Sequence, residues 1–306
     1  MMQANVLVIG SLNMDLVAQA ERLPQAGETL LGQSFATVPG GKGANQAVAA
    51  ARLGGQVAMI GCVGADAYGQ ALRQALADEG IDCQGVRVAE AVATGIAMIV
   101  VDANSQNAIV IVAGGNGQLE CADIERFDRL LLAADVVVCQ LEIPHAVVAF
   151  ALQRAHQAGK TVILNPAPVS GPLPQQWLGW VDYLIPNETE TQALTGLSVS
   201  SVAEAEQAAS VLRQAGAGKV LITLGEQGLL FADGTQPRHY PGRKVQAVDT
   251  TAAGDTFVGG FAAALARGLD ESQAIAFGQA AAALSVTRAG AQPSIPTLAQ
   301  VEQVAS

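Results

Sequence analysis

The chain repeats one pattern over most of its length: a short apolar run, then a longer segment in which apolar residues recur with helical spacing. The apolar runs are typical of buried strands and cover residues 6–9, 57–60, 136–139, 161–164, 183–185 and 219–223. Helical segments cover residues 44–53, 67–79, 144–158, 202–215, 254–267 and 271–288. Strands that alternate with helices form a mostly parallel sheet with helices on both faces. The sequence therefore predicts a doubly wound α/β fold.

Two stretches interrupt this alternation, within about residues 16–38 and 94–112. In the second, apolar segments at 95–101 and 108–112 flank a polar segment at 102–107, which predicts a β-hairpin. Inserted strands of this kind would form a small β lid over the C-terminal edge of the parallel sheet, where such folds bind ligands. The alternative is an extra antiparallel edge on the main sheet. We expect one domain, residues 1–306, that carries a lid.

The charge balance restricts the partners of the chain. Aspartate and glutamate number 27 against 16 lysines and arginines, a net charge of −11, which disfavours binding to nucleic acid or to anionic membranes. No apolar run reaches membrane-spanning length and no targeting segment precedes the first strand, so we expect a cytoplasmic protein. A polyanion such as ATP would have to be bound locally, by backbone amides, a cation or a few basic residues.

Residues 248–260 place a loop of small residues directly before a long apolar helix. The backbone N–H groups of Ala252, Ala253, Gly254 and Asp255 would converge there and bind an anion. Phosphoryl transfer needs such donors and a carboxylate that accepts the proton of the attacking hydroxyl, so Asp255 is a candidate base. The alternative is that Asp255 only stabilises the first helical turn.

A second glycine-rich loop, residues 39–43, also precedes a helix. It is not a Walker A loop, because Gly43 and not Ser or Thr follows Lys42. Its glycines allow a ligand to approach the backbone, and Asn45 can both donate to and accept from hydroxyl groups. A plain tight turn is the alternative. The first strand is followed by Gly-Ser-Leu-Asn and not by G-x-G-x-x-G, which disfavours a dinucleotide-binding oxidoreductase.

Three further strand ends carry polar residues. Asn13 and Asp15 follow the first strand and suit the recognition of adjacent hydroxyls, or form an Asx turn. Asn187 and Glu190 follow a later strand, where they would cap a helix or hold Mg²⁺ through oxygen atoms. Thr223, Gly225 and Gly228 end another strand with a glycine turn that would hold a nucleotide or turn a hairpin. The three histidines have no metal-ligand spacing, which removes support for zinc and Ser-His-Asp hydrolases.

Together these segments resemble the ribokinase family of carbohydrate kinases, also called the phosphofructokinase-B family, over essentially the whole chain. Residues 40–45, Gly-Gly-Lys-Gly-Ala-Asn, look like the first family motif, and residues 249–260 look like the second. Residues 165–168, Asn-Pro-Ala-Pro, and 287–294, Thr-Arg-Ala-Gly-Ala-Gln-Pro-Ser, add to the likeness. The chain departs from the family at Ala252, where a glycine is common, and at Gln279, where Asn or His often lies near the adenine.

The resemblance implies ATP-dependent phosphorylation of D-ribose at the 5-hydroxyl, with Asp255 as the base and Ala252, Ala253 and Gly254 as the anion hole. The implied sugar contacts are Asn13, Asp15, Gly41, Lys42, Asn45, Glu142 and Asp255. The implied nucleotide contacts are Asn187, Thr223, Gly225, Gly228, Gly254 and Gln279. Asn187 and Glu190 would organise Mg²⁺ through water, and an activating K⁺ would lie near Asp249, Thr251, Ser285, Arg288, Gly290 and Ser294.

Several alternatives remain at this point. A kinase of the same family would act on another small sugar or nucleoside, such as fructose, pseudouridine or a keto-deoxy sugar acid. A sugar-binding regulator on the same fold would need no working base. In either case the lid strands, through their exposed faces, suggest a homodimer.

Overall fold

Thirteen strands form two sheets in the computed structural model, which describes residues 5–104, 106–169 and 171–305. The strands are β1 (Asn5–Ile9), β2 (Asn13–Gln19), β3 (Ser34–Gly40), β4 (Gln56–Gly64), β5 (Asp82–Ala89), β6 (Gly95–Val101), β7 (Asn107–Val112), β8 (Val136–Cys139), β9 (Thr161–Leu164), β10 (Tyr183–Leu184), β11 (Lys219–Thr223), β12 (Leu229–Ala232) and β13 (Arg238–Tyr240). The nine-stranded sheet has the order β13-β12-β11-β10-β9-β8-β1-β4-β5. All its pairs are parallel except those that β12 makes with β11 and β13. The predicted mostly parallel sheet is confirmed.

Helices cover both faces of this sheet. They are α1 (Lys42–Arg52), α2 (Ala67–Asp78), α3 (Cys121–Arg126), α4 (Asp128–Ala133), α5 (His145–Gln157), α6 (Gln175–Leu178), α7 (Glu188–Thr195), α8 (Val202–Gln214), α9 (Ala253–Ala266), α10 (Glu271–Ser285) and α11 (Leu298–Ala305). Helices α1, α2, α9, α10 and α11 bury apolar residues in a cluster on one face, and α3 to α8 do so on the other. Because both faces are covered, the central strands are buried almost throughout, which explains why they read as continuous apolar runs.

Local capping residues fix several helix ends. The Asp270 side chain accepts from the Gln273 N–H and the Gln273 side chain accepts from the Asp270 N–H, which forms a capping box at the start of α10. Ser201 and Asp66 accept from the third residue after them, at the starts of α8 and α2. These bonds satisfy N–H groups that a helix cannot pair internally.

The remaining strands form a separate four-stranded sheet of order β3-β2-β6-β7. The predicted hairpin is confirmed as the antiparallel pair β6 and β7, although residue 105 of its turn lies outside the described residues. Of the two alternatives for these strands, the structure has the second sheet and not an extra edge on the main sheet. We call this four-stranded sheet the small sheet.

One sequence expectation was wrong in detail. We placed Asn13 and Asp15 at the edge of the main sheet, directly after β1, but both residues lie on β2 of the small sheet. The Gly10 N–H donates to the Ile60 carbonyl, after which the chain leaves the main sheet and β2 begins three residues later. Asn13 and Asp15 are two residues apart on a strand, so they share one face of the small sheet.

Within the described ranges, no helix combines the length and apolar character that crossing a membrane requires. The four cysteines are free thiols, and Cys62 and Cys139 are buried in the core.

Candidate active site

The N-terminus of α9 forms one end of the candidate site. Its N-cap residue, Ala252, has a left-handed backbone with φ of 58°. The first intrahelical bond runs from Thr256 N to Ala252 O, 2.8 Å, so the N–H groups before Thr256 have no intrahelical acceptor. One of them, that of Ala253, donates to Thr250 O at 3.2 Å. The N–H groups of Gly254 and Asp255 belong to this same first turn, which carries the partial positive charge of the helix end.

A cavity of about 200 Å³ opens in front of this helix end. Its lining consists of Lys42, Asn165, Ile185, Asn187, Glu190, Thr223, Thr250, Ala252, Ala253, Gly254, Asp255 and Val258. Eight of these residues were candidates from the sequence. The other four, Asn165, Ile185, Thr250 and Val258, were assigned no role, although Asn165 begins one of the segments that carry the family likeness.

The Asp255 carboxylate is held by two amide groups from α1. Asn45 Nδ2 donates to Asp255 Oδ2 at 3.0 Å, and Gln46 Nε2 donates to Asp255 Oδ1 at 2.9 Å. The Asp255 side chain is buried, with 7% exposure, and lines the cavity. The two glycine-rich helix starts that the sequence indicated therefore meet at Asp255.

Glu142 joins the glycine-rich loop to the end of β1. Its Oε2 accepts from Ser11 Oγ at 2.6 Å and from the Lys42 N–H at 3.1 Å. Ser11 Oγ in turn accepts from the Gly43 N–H at 3.2 Å. Gly41 is the N-cap of α1, so Glu142 fixes the start of the helix that carries Asn45.

Asn13 and Asp15 face the loop from β2. Asn116 Nδ2 donates to Asn13 Oδ1 at 2.8 Å, and Asn116 Oδ1 accepts from the Leu12 N–H at 2.8 Å. A Cβ atom at Gly40 would lie 2.2 Å from Asp15 Oδ2, so only glycine fits beside this carboxylate. Asn116 was missed from the sequence; the signal was the glycine-rich stretch at 114–117.

Asp15 belongs to a group of three acidic side chains. Burial raises the pKa of Asp15 to about 7, and the negative charges of Glu142 and Asp255 add to that increase. Lys42 lies among the same acids. Burial lowers the pKa of its ammonium group, but the charges of Asp255, Glu142 and Glu190 outweigh burial and raise it overall, which keeps Lys42 charged.

Asn187 and Glu190 line the opposite wall of the cavity, at the start of α7. They form a capping box: Glu190 N donates to Asn187 Oδ1 at 2.8 Å, and Asn187 N donates to Glu190 Oε2 at 2.9 Å. The capping alternative is therefore present, yet both side chains also face the cavity. Burial raises the pKa of Glu190, and Lys42 opposes that shift. Thr223 forms an isolated bridge with Asn187, which places the end of β11 beside them.

The glycine turn after Thr223 connects β11 to the antiparallel strand β12. Gly225 begins a short 3-10 helix, Gly225–Gln227, and Gly228 ends it. Gln279 reaches this turn from α10, since its Nε2 donates to Tyr240 O at 3.1 Å and that carbonyl also borders Gly228. Gly225, Gly228 and Gln279 thus lie together, although they are not part of the cavity lining.

The six residues implied for potassium lie on two connected segments. Asp249 Oδ1 accepts from the Thr251 N–H at 2.9 Å, and Asp249 Oδ2 accepts from the Gly290 N–H at 2.8 Å. Ser285 Oγ donates to Ala282 O and Ser294 Oγ donates to Ala291 O, both at 2.8 Å. The Arg288 side chain donates to Gln300. The part of the chain that the structure describes has no cluster of three or more His, Cys, Asp or Glu side chains able to hold a metal. A cation here would have the Asp249 carboxylate together with hydroxyl and carbonyl oxygens as ligands.

A helix N-terminus that opens into a cavity and a buried carboxylate beside it are the groups that phosphoryl transfer requires. Comparison with known proteins agrees. Residues 3–298 match the pfkB family of carbohydrate kinases, and the chain belongs to that family.

Individual relatives are similar over almost their full length. The chain is 44% identical to Ribokinase from Haemophilus influenzae, covering 97% of this chain and 96% of that protein. It is 37% identical to Deoxyribokinase from Salmonella typhi, covering 99% of each. Among solved structures, Arabidopsis thaliana ribokinase complexed with ribose and ATP superposes with a TM-score of 0.92 at 34% identity, covering 100% of this chain and 99% of that one.

Proposed function

We propose that this enzyme transfers the γ-phosphoryl group of ATP to the 5-hydroxyl of D-ribose, giving ribose 5-phosphate and ADP. The observation that carries the proposal is the Asp255 carboxylate, held by two amide donors beside the N-terminus of α9. Support comes from the Haemophilus influenzae relative named Ribokinase and from the Arabidopsis ribokinase structure, whose ligands are ribose and ATP.

The chemistry follows from the positions of these groups. Asp255 accepts the proton of the attacking hydroxyl as the phosphoryl group is transferred. Catalysis of phosphoryl transfer depends mostly on the positions of the reacting groups and on stabilisation of charge, so a weak base in the correct place suffices. The backbone amides of Ala252, Ala253 and Gly254, at the start of α9, stabilise the charge on the transferred oxygens, and for this the Ala253 N–H exchanges its bond to Thr250 O. Lys42, on the cavity wall, adds a positive charge.

Ribose binds on the other side of Asp255. Its hydroxyls are met by the carboxylates of Asp15 and Glu142 and by the amides of Asn13 and Asn45, along with the backbone at Gly41. Paired acceptors and donors of this kind penalise any analogue that leaves one of them unpaired.

ATP extends from the cavity toward the Gly225–Gln227 turn. Asn187 and Thr223 lie near its phosphates, and Gly228 and Gln279 lie near its adenine. The oxygen donors of Asn187 and Glu190 fit Mg²⁺ held through water, since Mg²⁺ keeps several waters and prefers oxygen ligands. When bound, Mg²⁺ neutralises phosphate charge. We also propose K⁺ activation at the segments of Asp249, Thr251, Ser285, Arg288, Gly290 and Ser294, where hydroxyl and carbonyl oxygens are available.

Three broader proposals accompany this activity. The chain is one kinase domain, residues 1–306, and the small sheet is its lid, because β2 carries Asn13 and Asp15, which we assign to the sugar. Two copies associate through the exposed apolar side chains of this sheet. The expected cytoplasmic location stays a prediction.

A second candidate substrate is 2-deoxyribose, because the Salmonella typhi relative is named Deoxyribokinase. A coupled ADP-release assay decides between sugars. We expect turnover with ribose to exceed turnover with 2-deoxyribose, fructose, pseudouridine and a keto-deoxy sugar acid. Faster turnover with one of the other compounds would support the kinase activity but identify that compound, and not ribose, as the substrate.

The Asp255→Asn variant tests whether the chain is a catalyst. Asparagine keeps the shape of the side chain but is not a base, so kcat should fall by about 10³-fold or more. Ribose binding, measured by calorimetry, should remain close to that of the parent. A parent chain that binds ribose but releases no ADP would instead indicate a sugar-binding regulator.

A further inference from the structure

The carboxylate of Asp255 is connected to a row of three amide side chains, of which Asn165 lines the cavity and Gln46 and Gln140 do not. Gln46 Nε2 donates both to Asp255 Oδ1 at 2.9 Å and to Asn165 Oδ1 at 3.1 Å. Gln140 Nε2 donates to Gln46 Oε1 at 2.6 Å. We call Gln140, Gln46 and Asn165 the amide relay. Gln46 and Gln140 are fully buried, at 0% exposure.

The hydrogen bonds of the relay have only one consistent direction. The Ile185 carbonyl can only accept, so Asn165 turns its Nδ2 toward it, at 2.9 Å, and its Oδ1 toward Gln46. A base carboxylate also accepts, so Gln46 must present Nε2 to both Asp255 and Asn165. Its Oε1 then points at Gln140, which has to donate. A flipped Gln46 amide would place three acceptor oxygens together.

Gln140 is itself confined. A Cβ atom at Gly10 would lie 2.0 Å from Gln140 Oε1, so the side chain packs directly on the Gly10 backbone. Its Oε1 has no hydrogen-bond partner among the described residues, and its one polar contact is therefore the bond to Gln46. Gln140 is therefore the group that holds the Gln46 amide in this direction.

We infer that Gln46 is a positioning residue for the phosphoryl transfer. Gln46 fixes the plane of the Asp255 carboxylate, and Gln140 fixes the orientation of the Gln46 amide. The inference rests on the proposed function, in which Asp255 is the base. Asn45, the second donor to Asp255, also faces the sugar and can change partners when ribose binds. Gln46 is fully buried and does not line the cavity, so neither substrate reaches its amide directly. Base catalysis depends on such geometry.

The test uses Gln46→Met, which keeps the side-chain length and removes the donor. We expect kcat to fall by about 10- to 100-fold while the KM values for ribose and ATP stay within about threefold, because only the base is displaced. Gln140→Met does not touch Asp255 and should lower kcat by about 3- to 10-fold. Since both act through one hydrogen bond, the double variant should lose no more than Gln46→Met alone.

Val148→Ala is the matched control, because Val148 is fully buried on the opposite face of the sheet. It should lower Tm without changing kcat. The inference is overturned if folded Gln46→Met keeps kcat within about threefold of the parent, or loses kcat and ribose affinity equally. If Gln46→Met does not fold, an unchanged kcat in Gln140→Met overturns the relay.

Failure of the proposed function gives a different result, since the parent chain itself would then release no ADP with any sugar. In that case a crystal structure of Gln46→Met decides the inference. An Asp255 carboxylate that keeps the orientation of the parent contradicts a positioning role for Gln46, and a rotated carboxylate supports it.

Discussion

At the scale of single residues, the most unusual group is the carboxyl of Asp15. Its burial, and the nearby charges of Glu142 and Asp255, raise its pKa to about 7. Near neutral pH the free enzyme is thus a mixture of protonated and ionised Asp15. Ribose hydroxyls donate hydrogen bonds, and an ionised carboxylate accepts them with both oxygens, so the ionised form is the one that binds sugar.

This difference predicts a pH dependence of ribose affinity. Below about pH 7 Asp15 must lose its proton before binding, so Kd should increase by up to about tenfold for each unit that the pH falls. As the pH rises through about 7 the affinity should increase and then level off, and binding near neutral pH should release protons. Calorimetry in buffers of different ionisation enthalpy measures both effects. The Asp15→Asn variant, which cannot ionise at this position, should bind ribose more weakly and release fewer protons on binding. If the number of protons released is unchanged, the protons come from another group.

At the scale of secondary structure, the contact between α1 and α9 sets the distances at the base. Helix α1 carries Asn45 and Gln46, and α9 carries Asp255. The helices approach closely at Gly259, where a Cβ atom would lie 2.5 Å from both Ala49 Cβ and the Gln46 carbonyl oxygen. That spacing is what lets the two amides reach the Asp255 carboxylate.

We therefore expect Gly259→Ala to separate the two helices and to lengthen the hydrogen bonds to Asp255. Overpacking of a close helix contact costs about 1–3 kcal/mol, so Tm should fall by several degrees. The value of kcat should fall as well, because the base moves. Thermal melts and the ADP-release assay measure the two effects. Gly179→Ala is the control, since Gly179 has a helical φ of −75° and no atom of the described chain lies within 3.4 Å of its added Cβ. Equal changes of Tm and kcat in Gly259→Ala and Gly179→Ala would contradict a role of the α1–α9 contact in placing Asp255.

The elements themselves were predictable because each strand and helix depends on neighbouring residues. Apolar runs gave all six predicted strands of the main sheet, and the 95–112 hairpin followed from its polar turn. The crossing of Asn13 to the small sheet was not predictable, because it depends on the pairing of β2 with β6, where Asn13 lies opposite Gly95. The amide relay was hidden for the same reason: Gln46 is 94 residues from Gln140 and 209 from Asp255. Resemblance indicated Asp255, but not the residues that position it.

At the scale of the whole molecule, the small sheet leaves an unusual amount of apolar surface exposed. Every residue of β7 is exposed, and the large side chains Phe35, Met98, Ile109 and Val110 are between 44% and 66% exposed. A long apolar edge strand of this kind invites pairing or aggregation unless another surface covers it. A second copy of the same sheet supplies a matching surface with two-fold symmetry.

The proposed homodimer predicts a mass of about twice 31.2 kDa in sedimentation equilibrium. Ile109 and Val110 point to opposite faces of β7, so Ile109→Lys combined with Val110→Lys charges both faces and should give a monomer. Leu132→Lys on α4 is the control, because Leu132 is 50% exposed but lies outside the small sheet; this variant should stay dimeric.

Each copy carries a net charge of −11, so the contact forms against long-range repulsion. Added salt screens that repulsion and should tighten the dimer, since apolar burial and not ion pairing provides its free energy. A parent chain that sediments as a monomer, or a dimer that salt dissociates, would contradict an apolar interface through the small sheet.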